Sequence, residues 1–189
     1  GLESLRKQNR DLVEASKLPD YDKRRSNEIN ELMFATAYRY AKSDSMEAKL
    51  NETYQEWKKK DDVYFKSLNI EFDHFRFPIY SYVKSAVGPW YRYFIQYDPG
   101  QYLTHVKVPV LAINGDKDLM VACDENLGNF KKYLTMAGNK DFKTVVLPGL
   151  NHLFQHCKTC DQSESRTLKE DFAPEALELI GNWLLAHKR

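Results

Sequence analysis

The sequence predicts an α/β chain in which a helical N-terminal half leads into a short βαβα stretch built on an incomplete parallel sheet. Three observations predict it. Residues before about 70 are polar, almost free of glycine, and repeat apolar side chains at helical spacing. Residues 108–113 and 142–147 are short runs rich in apolar and β-branched side chains, and each ends in a turn. Helical spacing returns between those runs and again after them.

In chain order, Leu2, Leu5, Leu12 and Val13 predict a first amphipathic helix, closed by the Lys17-Leu18-Pro19 break. A second helix opens near Asp20 and carries Ile29, Met33, Ala37, Tyr40 and Ala41 on one face. The third has Asp44 and Glu47 in capping-box positions and repeats Met46, Leu50, Tyr54 and Trp57. Its run Lys58-Lys59-Lys60-Asp61-Asp62 reads as a solvated face. Residues 72–97 hold ten aromatic rings, from Phe72 to Tyr97, with Pro78 and Gly88-Pro89 interrupting any long helix. That many rings must be covered by other elements or line a pocket. Val108–Ile113 predicts a buried parallel strand, and Asp124–Ala137 a helix with Leu127, Phe130 and Leu134 inward and Gly138 as its stop. Phe142–Leu147 predicts the second strand, ended by Pro148-Gly149. A polar, cysteine-containing loop then leads to a last helix with Pro174 in its first turn and Leu177, Ile180, Trp183 and Leu184 as its apolar stripe.

Composition excludes several function classes. The 189 residues include 28 Lys+Arg against 27 Asp+Glu, a net charge of +1, so nothing electrostatic favours nucleic acid or an anionic membrane. Arg76, Lys84 and Arg92 do interleave with aromatics, as on single-strand binding surfaces, but without a basic excess no nucleic acid is expected. No apolar run approaches the ~20 residues that span a bilayer, so no membrane partner is expected either. The opening GLESLRKQNR has no apolar core of the signal-peptide kind, and the compartment stays open. Cys123, Cys157 and Cys160 are an odd count, which argues against a disulfide framework.

Chemistry concentrates at the two strand ends. In open α/β sheets, functional groups sit just past the carboxyl ends of strands. The first strand runs into Asn114-Gly115-Asp116-Lys117-Asp118, and the second into Pro148-Gly149-Leu150-Asn151-His152. Parallel and adjacent, they open Asp118 and His152 onto one edge. A carboxylate beside an imidazole is the orienter-and-base pair of nucleophilic catalysis. Asp116 is read as a turn residue. His74, His105 and His187 lack a comparable setting and are read as surface or satisfied histidines.

These two segments resemble a family. Pro-Val-Leu-Ala-Ile-Asn-Gly-Asp-Lys-Asp (109–118) is similar to the strand-and-acid motif of α/β-hydrolases, with the acid three residues after the glycine. Leu-Pro-Gly-Leu-Asn-His-Leu-Phe (147–154) resembles their histidine loop, and Tyr97-Asp98-Pro99 resembles the point where the chain leaves the cap. The resemblance implies residues 1–95 as a helical cap or lid and 96–189 as the C-terminal part of the hydrolase core. It implies Asp118 as triad acid and His152 as base, in the family's order of serine, acid, histidine. No Gly-x-Ser-x-Gly turn occurs in the sequence, and Ser4, Ser16, Ser26, Ser43, Ser45, Ser67, Ser81 and Ser85 all lack that context. The expectation is therefore a C-terminal fragment of a serine hydrolase, carboxylesterase-like, acting on a small acyl substrate. A missing N-terminal half or a second copy of the chain should cover residues 108–150. The alternatives are a peptidase of the same fold, or a catalytically inactive helical interaction module. No cofactor is expected. His152, His156, Cys157 and Cys160 offer half of a zinc site at most, so no metal is assigned; free thiols or one local disulfide is the reading for Cys157 and Cys160.

Overall fold

Three long helices open the chain because its apolar residues recur every three or four positions and no Gly or Pro interrupts them. In the computed structural model, which describes residues Gly1–Lys188, they are α1 (Leu2–Ala15), α2 (Asp20–Tyr40) and α3 (Met46–Ser67). Pro19 ends the first connection: its carbonyl accepts the Asp22 and Lys23 amides and starts α2. Two short helices follow, α4 (Ile79–Ala86) and α5 (Pro89–Gln96), split at Gly88-Pro89 as the sequence requires. Ile29, Met33 and Ala37 of α2 meet Met46, Leu50 and Trp57 of α3 in a core that also takes Val83, Ala86 and Ile95. Leu2, Leu5, Phe75, Phe77, Tyr82 and Tyr91 pack against it, whereas Phe72, Tyr80, Trp90 and Tyr93 of the same aromatic stretch are exposed, so the expected cover reaches only part of it.

Three expectations need correction in this half. Asp44 and Glu47 form no capping box: Ser45 is the N-cap but its side chain makes no capping bond, and the Ser43 hydroxyl accepts the Ser45 amide at 3.1 Å instead. Leu12 is exposed, leaving Val13 as the buried end of α1. The charge run of α3 is not wholly solvated, because Asp61 is buried and bonded by buried Arg25. Arg25 also reaches Asp22 and Asp73, and its guanidinium lies over Phe65 and Phe75. Burial works against its charge, but the bonds it donates to Asp61, Asp73 and Asp22 outweigh that and raise its pKa.

The chain divides into two compact units between Tyr97 and Asp98. The second unit holds α6 (Gly100–Leu103), β1 (Val110–Gly115), α7 (Cys123–Met136), β2 (Phe142–Leu147), α8 (Gln162–Ser165) and α9 (Pro174–Ala186). β1 and β2 pair in parallel, in register from Val110–Phe142 to Gly115–Leu147, with α7 as the crossover. β1 starts two residues later than the hydropathy predicts: Val108 is exposed, and Asn139 ties the entry segment by donating to the Val106 and Val108 carbonyls. The core here is small, Leu147, Leu150, Ala173 and Ala176 with Ile113, Val145, Phe154, Phe172 and Leu179 around it. The apolar stripe expected on α9 is split, with Ile180 and Trp183 partly buried. Ala176 is buried, whereas Leu177 and Leu184 are exposed. The described chain is thus mixed α/β, predominantly helical, with one two-stranded parallel sheet. None of its described helices is long and apolar enough to cross a membrane.

Candidate active site

The two strand ends are knitted together before any functional group is considered. Asp116 donates its amide to the Leu147 carbonyl at 3.1 Å, and Lys117 donates to Leu150 at 3.1 Å. Asp116 Oδ1 accepts the Gly149 amide at 2.6 Å, so the side chain read as a turn residue is a clamp between the loops. Gly115 cannot be replaced here, since a Cβ would lie 2.1 Å from the Leu150 carbonyl oxygen. Gly149 takes φ +77°, a conformation open to glycine and costly for other residues.

On that frame Asp118 and His152 meet. His152 Nδ1 donates to Asp118 Oδ2 at 3.0 Å. The same oxygen accepts Asn114 Nδ2 at 3.2 Å, while Oδ1 accepts the Met120 and Val121 amides at 2.7 and 2.8 Å. The acid side chain is 6% exposed and the histidine 49%. A carboxylate held by four donors is fixed in orientation and fixes the ring in turn. The His152 ring makes no second hydrogen bond among the described residues, which leaves Nε2 available as a proton acceptor.

Asn114 and Asn151 complete the site, and neither was singled out from the sequence. Asn114, at the end of β1, is buried; besides holding Asp118 it accepts Asn126 Nδ2 of α7 at 2.8 Å. Asn151 is 2% exposed and organises the loop that presents His152. Its Oδ1 accepts the Leu153 and Gln155 amides, and its Nδ2 donates to Gln155 Oε1 and Ser165 Oγ. Phe154 turns that loop at φ +56°, strained for a bulky residue. Its carbonyl accepts the Ala173 amide at 2.7 Å and its ring packs on Phe172, which offset the strain.

The return arm of the loop begins at a bridge between Leu150 and His156. His156 Nδ1 donates to Glu170 and its Nε2 faces Glu175 at 2.9 Å. The Glu170 bond raises the His156 pKa, and the His156 amide and ring lower that of Glu170. Cys157 and Cys160 form a disulfide, and Cys123 is free. Burial raises the Cys123 pKa, with Asp116, Asp124 and Asp118 adding to it. The four-residue group read as half a zinc site does not assemble: among the described residues, the candidate metal group here is Cys157, Cys160 and Glu164, without either histidine. Its sulfurs are bonded to each other, and Glu164 accepts the Lys158, Thr159 and Cys160 amides and the Thr159 hydroxyl. Of the remaining histidines, His105 bonds the Gln101 carbonyl, His187 bonds Trp183 and Asp141, and His74 is exposed.

Comparison with family models, with curated proteins and with solved structures finds no match to this chain.

Proposed function

We propose that this chain supplies the acid and base of a Ser-His-Asp triad in an α/β-hydrolase of carboxylesterase type. The observation that carries the reading is the 3.0 Å bond from His152 Nδ1 to Asp118 Oδ2 at adjacent parallel strand ends, with Nε2 left for a nucleophile. That approach favours catalysis over a purely structural tail, whose turns have no need to bring an imidazole onto a carboxylate 34 positions away. In the reaction, His152 Nε2 takes the serine proton as the hydroxyl attacks the acyl carbon. It then returns that proton to the leaving group, and Asp118 stabilises the imidazolium between the two steps. The nucleophile and the oxyanion donors come from polypeptide outside this sequence, which contains no Gly-x-Ser-x-Gly turn. Residues 1–95 serve as the cap, and the substrate is a small ester, thioester or amide.

The test is fluorophosphonate labelling of the complete parent polypeptide. A serine outside this sequence should label, and His152→Ala or Asp118→Asn should slow labelling by about 10³-fold or more. Labelling that proceeds unchanged in both variants overturns the reading. A peptidase of the same fold is separated by comparing a p-nitrophenyl ester with a peptide amide as substrate.

A further inference from the structure

The disulfide between Cys157 and Cys160 encloses only four residues, with a sequence separation of 3. Cross-links stabilise folds by closing long loops, so this one contributes little as a staple. Its place is more informative. Cys157 continues the return arm of the His152 loop: its amide donates to the Gly149 carbonyl at 3.4 Å, and the preceding residue, His156, forms the bridge to Leu150. Cys160 sits at φ +61°, unfavourable for a residue with a Cβ, and is held there by the disulfide and by its amide bond to Glu164 Oε2 at 2.6 Å. Glu164 belongs to α8, whose Ser165 hydroxyl bonds Asn151, the buried hub beside His152. The cross-linked turn therefore touches the His152 loop from two sides.

We propose that Cys157–Cys160 is a reversible thiol–disulfide exchange site whose redox state sets the order of the loop presenting His152. The reductant is a thiol, either a small molecule or a protein dithiol. Cys157 is half-buried and Cys160 buried, so attack falls on Cys157 Sγ. A new sulfur–sulfur bond forms to the incoming thiolate, the Cys157–Cys160 bond breaks, and its electron pair leaves on Cys160, which takes a proton from water. A second thiol attacks the sulfur of the first, releasing Cys157 as thiol. Two thiols become one disulfide, and the protein gains two thiols. Once the bond is open, little besides the Glu164 bonds keeps Cys160 left-handed, and the turn relaxes toward extended backbone. The third cysteine takes no part: Cys123 lies next to the Asp118 turn, 4.0 Å from the Asn114 carbonyl, where burial, and after it the nearby carboxylates, disfavour its thiolate.

The loop response is independent of the hydrolase reading; its effect on activity rests on that reading. The experiment uses the full chain in a Cys123→Ser background, oxidised and then treated with dithiothreitol without denaturant. Thiol alkylation should show the pair opening in the folded protein. Amide hydrogen exchange over residues 149–160 should rise roughly ten-fold and return on reoxidation, while α2 and α3 stay unchanged. A Cys157→Ser/Cys160→Ser variant should match the reduced protein and ignore dithiothreitol. A pair that opens only in denaturant, or exchange at 149–160 that is the same in both states, overturns the proposal. Fluorophosphonate labelling of the parent in both states separates the two readings. A loop that responds in a parent that never labels leaves the switch standing and the hydrolase reading lost. Labelling at equal rates in both states, with an unresponsive loop, does the reverse.

Discussion

Asp118 carries four hydrogen bonds on two oxygens, and only one of them comes from His152. The backbone pair from Met120 and Val121 is built by the turn itself, but the Asn114 bond depends on a side chain that must in turn be held by Asn126. Replacing Asn114 by Ala removes one donor from Asp118 and leaves half-buried Asn126 short of its acceptor. Urea unfolding should show a loss of about 1–3 kcal/mol, the usual cost of orphaning buried polar groups. Asn114→Ser, which keeps a hydroxyl, should recover part of it. A variant as stable as the parent chain would mean that water replaces both bonds. Asp118 and His152 were legible because each follows a strand by a short, turn-rich segment, so sequence distance alone places them. Asn114 and Asn151 were not, since their roles lie in side-chain hydrogen bonds to Asp118 and Asn126 and to Gln155 and Ser165, which no apolar run or turn residue marks. An amide ending an apolar strand was the one available sign.

At the scale of elements, the His152 loop is held to the start of α9 by His156, clasped between Glu170 and Glu175. The sign of the pH dependence follows from two opposite shifts. His156 is raised, so its contribution is complete below the ordinary histidine value near 6.5 and disappears as pH climbs through the higher folded value. Glu170 is lowered, so its contribution is complete above the ordinary glutamate value near 4.3 and disappears as pH falls through the lower folded value. The clasp is strongest between those ordinary values. The difference in melting temperature between the parent chain and His156→Gln should be largest between those two ordinary values and shrink as pH rises beyond the ordinary histidine value. A difference that stays constant from pH 5 to 9 would show that the ring packs without its charge. The Arg25 cluster teaches how such contacts could have been read. Arg25 precedes Ile29, Met33 and Ala37 at four-residue steps, and Asp61 follows Met46, Leu50 and Trp57 on one face. Both charges continue an apolar stripe, and helical spacing puts them inside together. The charge of the Lys58–Asp62 run conceals that phase, because Lys59, Lys60 and Asp62 face solvent while Asp61 does not.

For the whole molecule, the decisive fact is how little the second unit's sheet is covered. Parallel strands are ordinarily buried on both faces by helices, and two strands with one crossover leave sheet edges open. Val146 on β2 is 49% exposed, and Leu177 and Leu184, seven residues apart on one face of α9, are 57% and 63% exposed. The two strands were expected from short apolar runs and the stripe of α9 from helical spacing, and both patterns are local properties. Whether a stripe is buried depends on what lies opposite, which no window of sequence contains. The net charge of +1 supplies almost no repulsion to keep such surfaces apart. The isolated chain should therefore associate with rising concentration. Sedimentation velocity from about 5 to 200 µM should show the weight-average coefficient climbing, with an apolar dye binding at the low end. Leu177→Lys/Leu184→Lys should stay monomeric, because two ammonium groups on one helical face cannot be desolvated against a second copy. On the proposed hydrolase reading, mixing with the polypeptide that would carry the nucleophile should suppress both association and dye binding, because that polypeptide would cover the same apolar area. A chain that sediments as one monomeric species throughout, and binds no dye, would show that these leucines need no cover, and would remove the reason to look for a partner there.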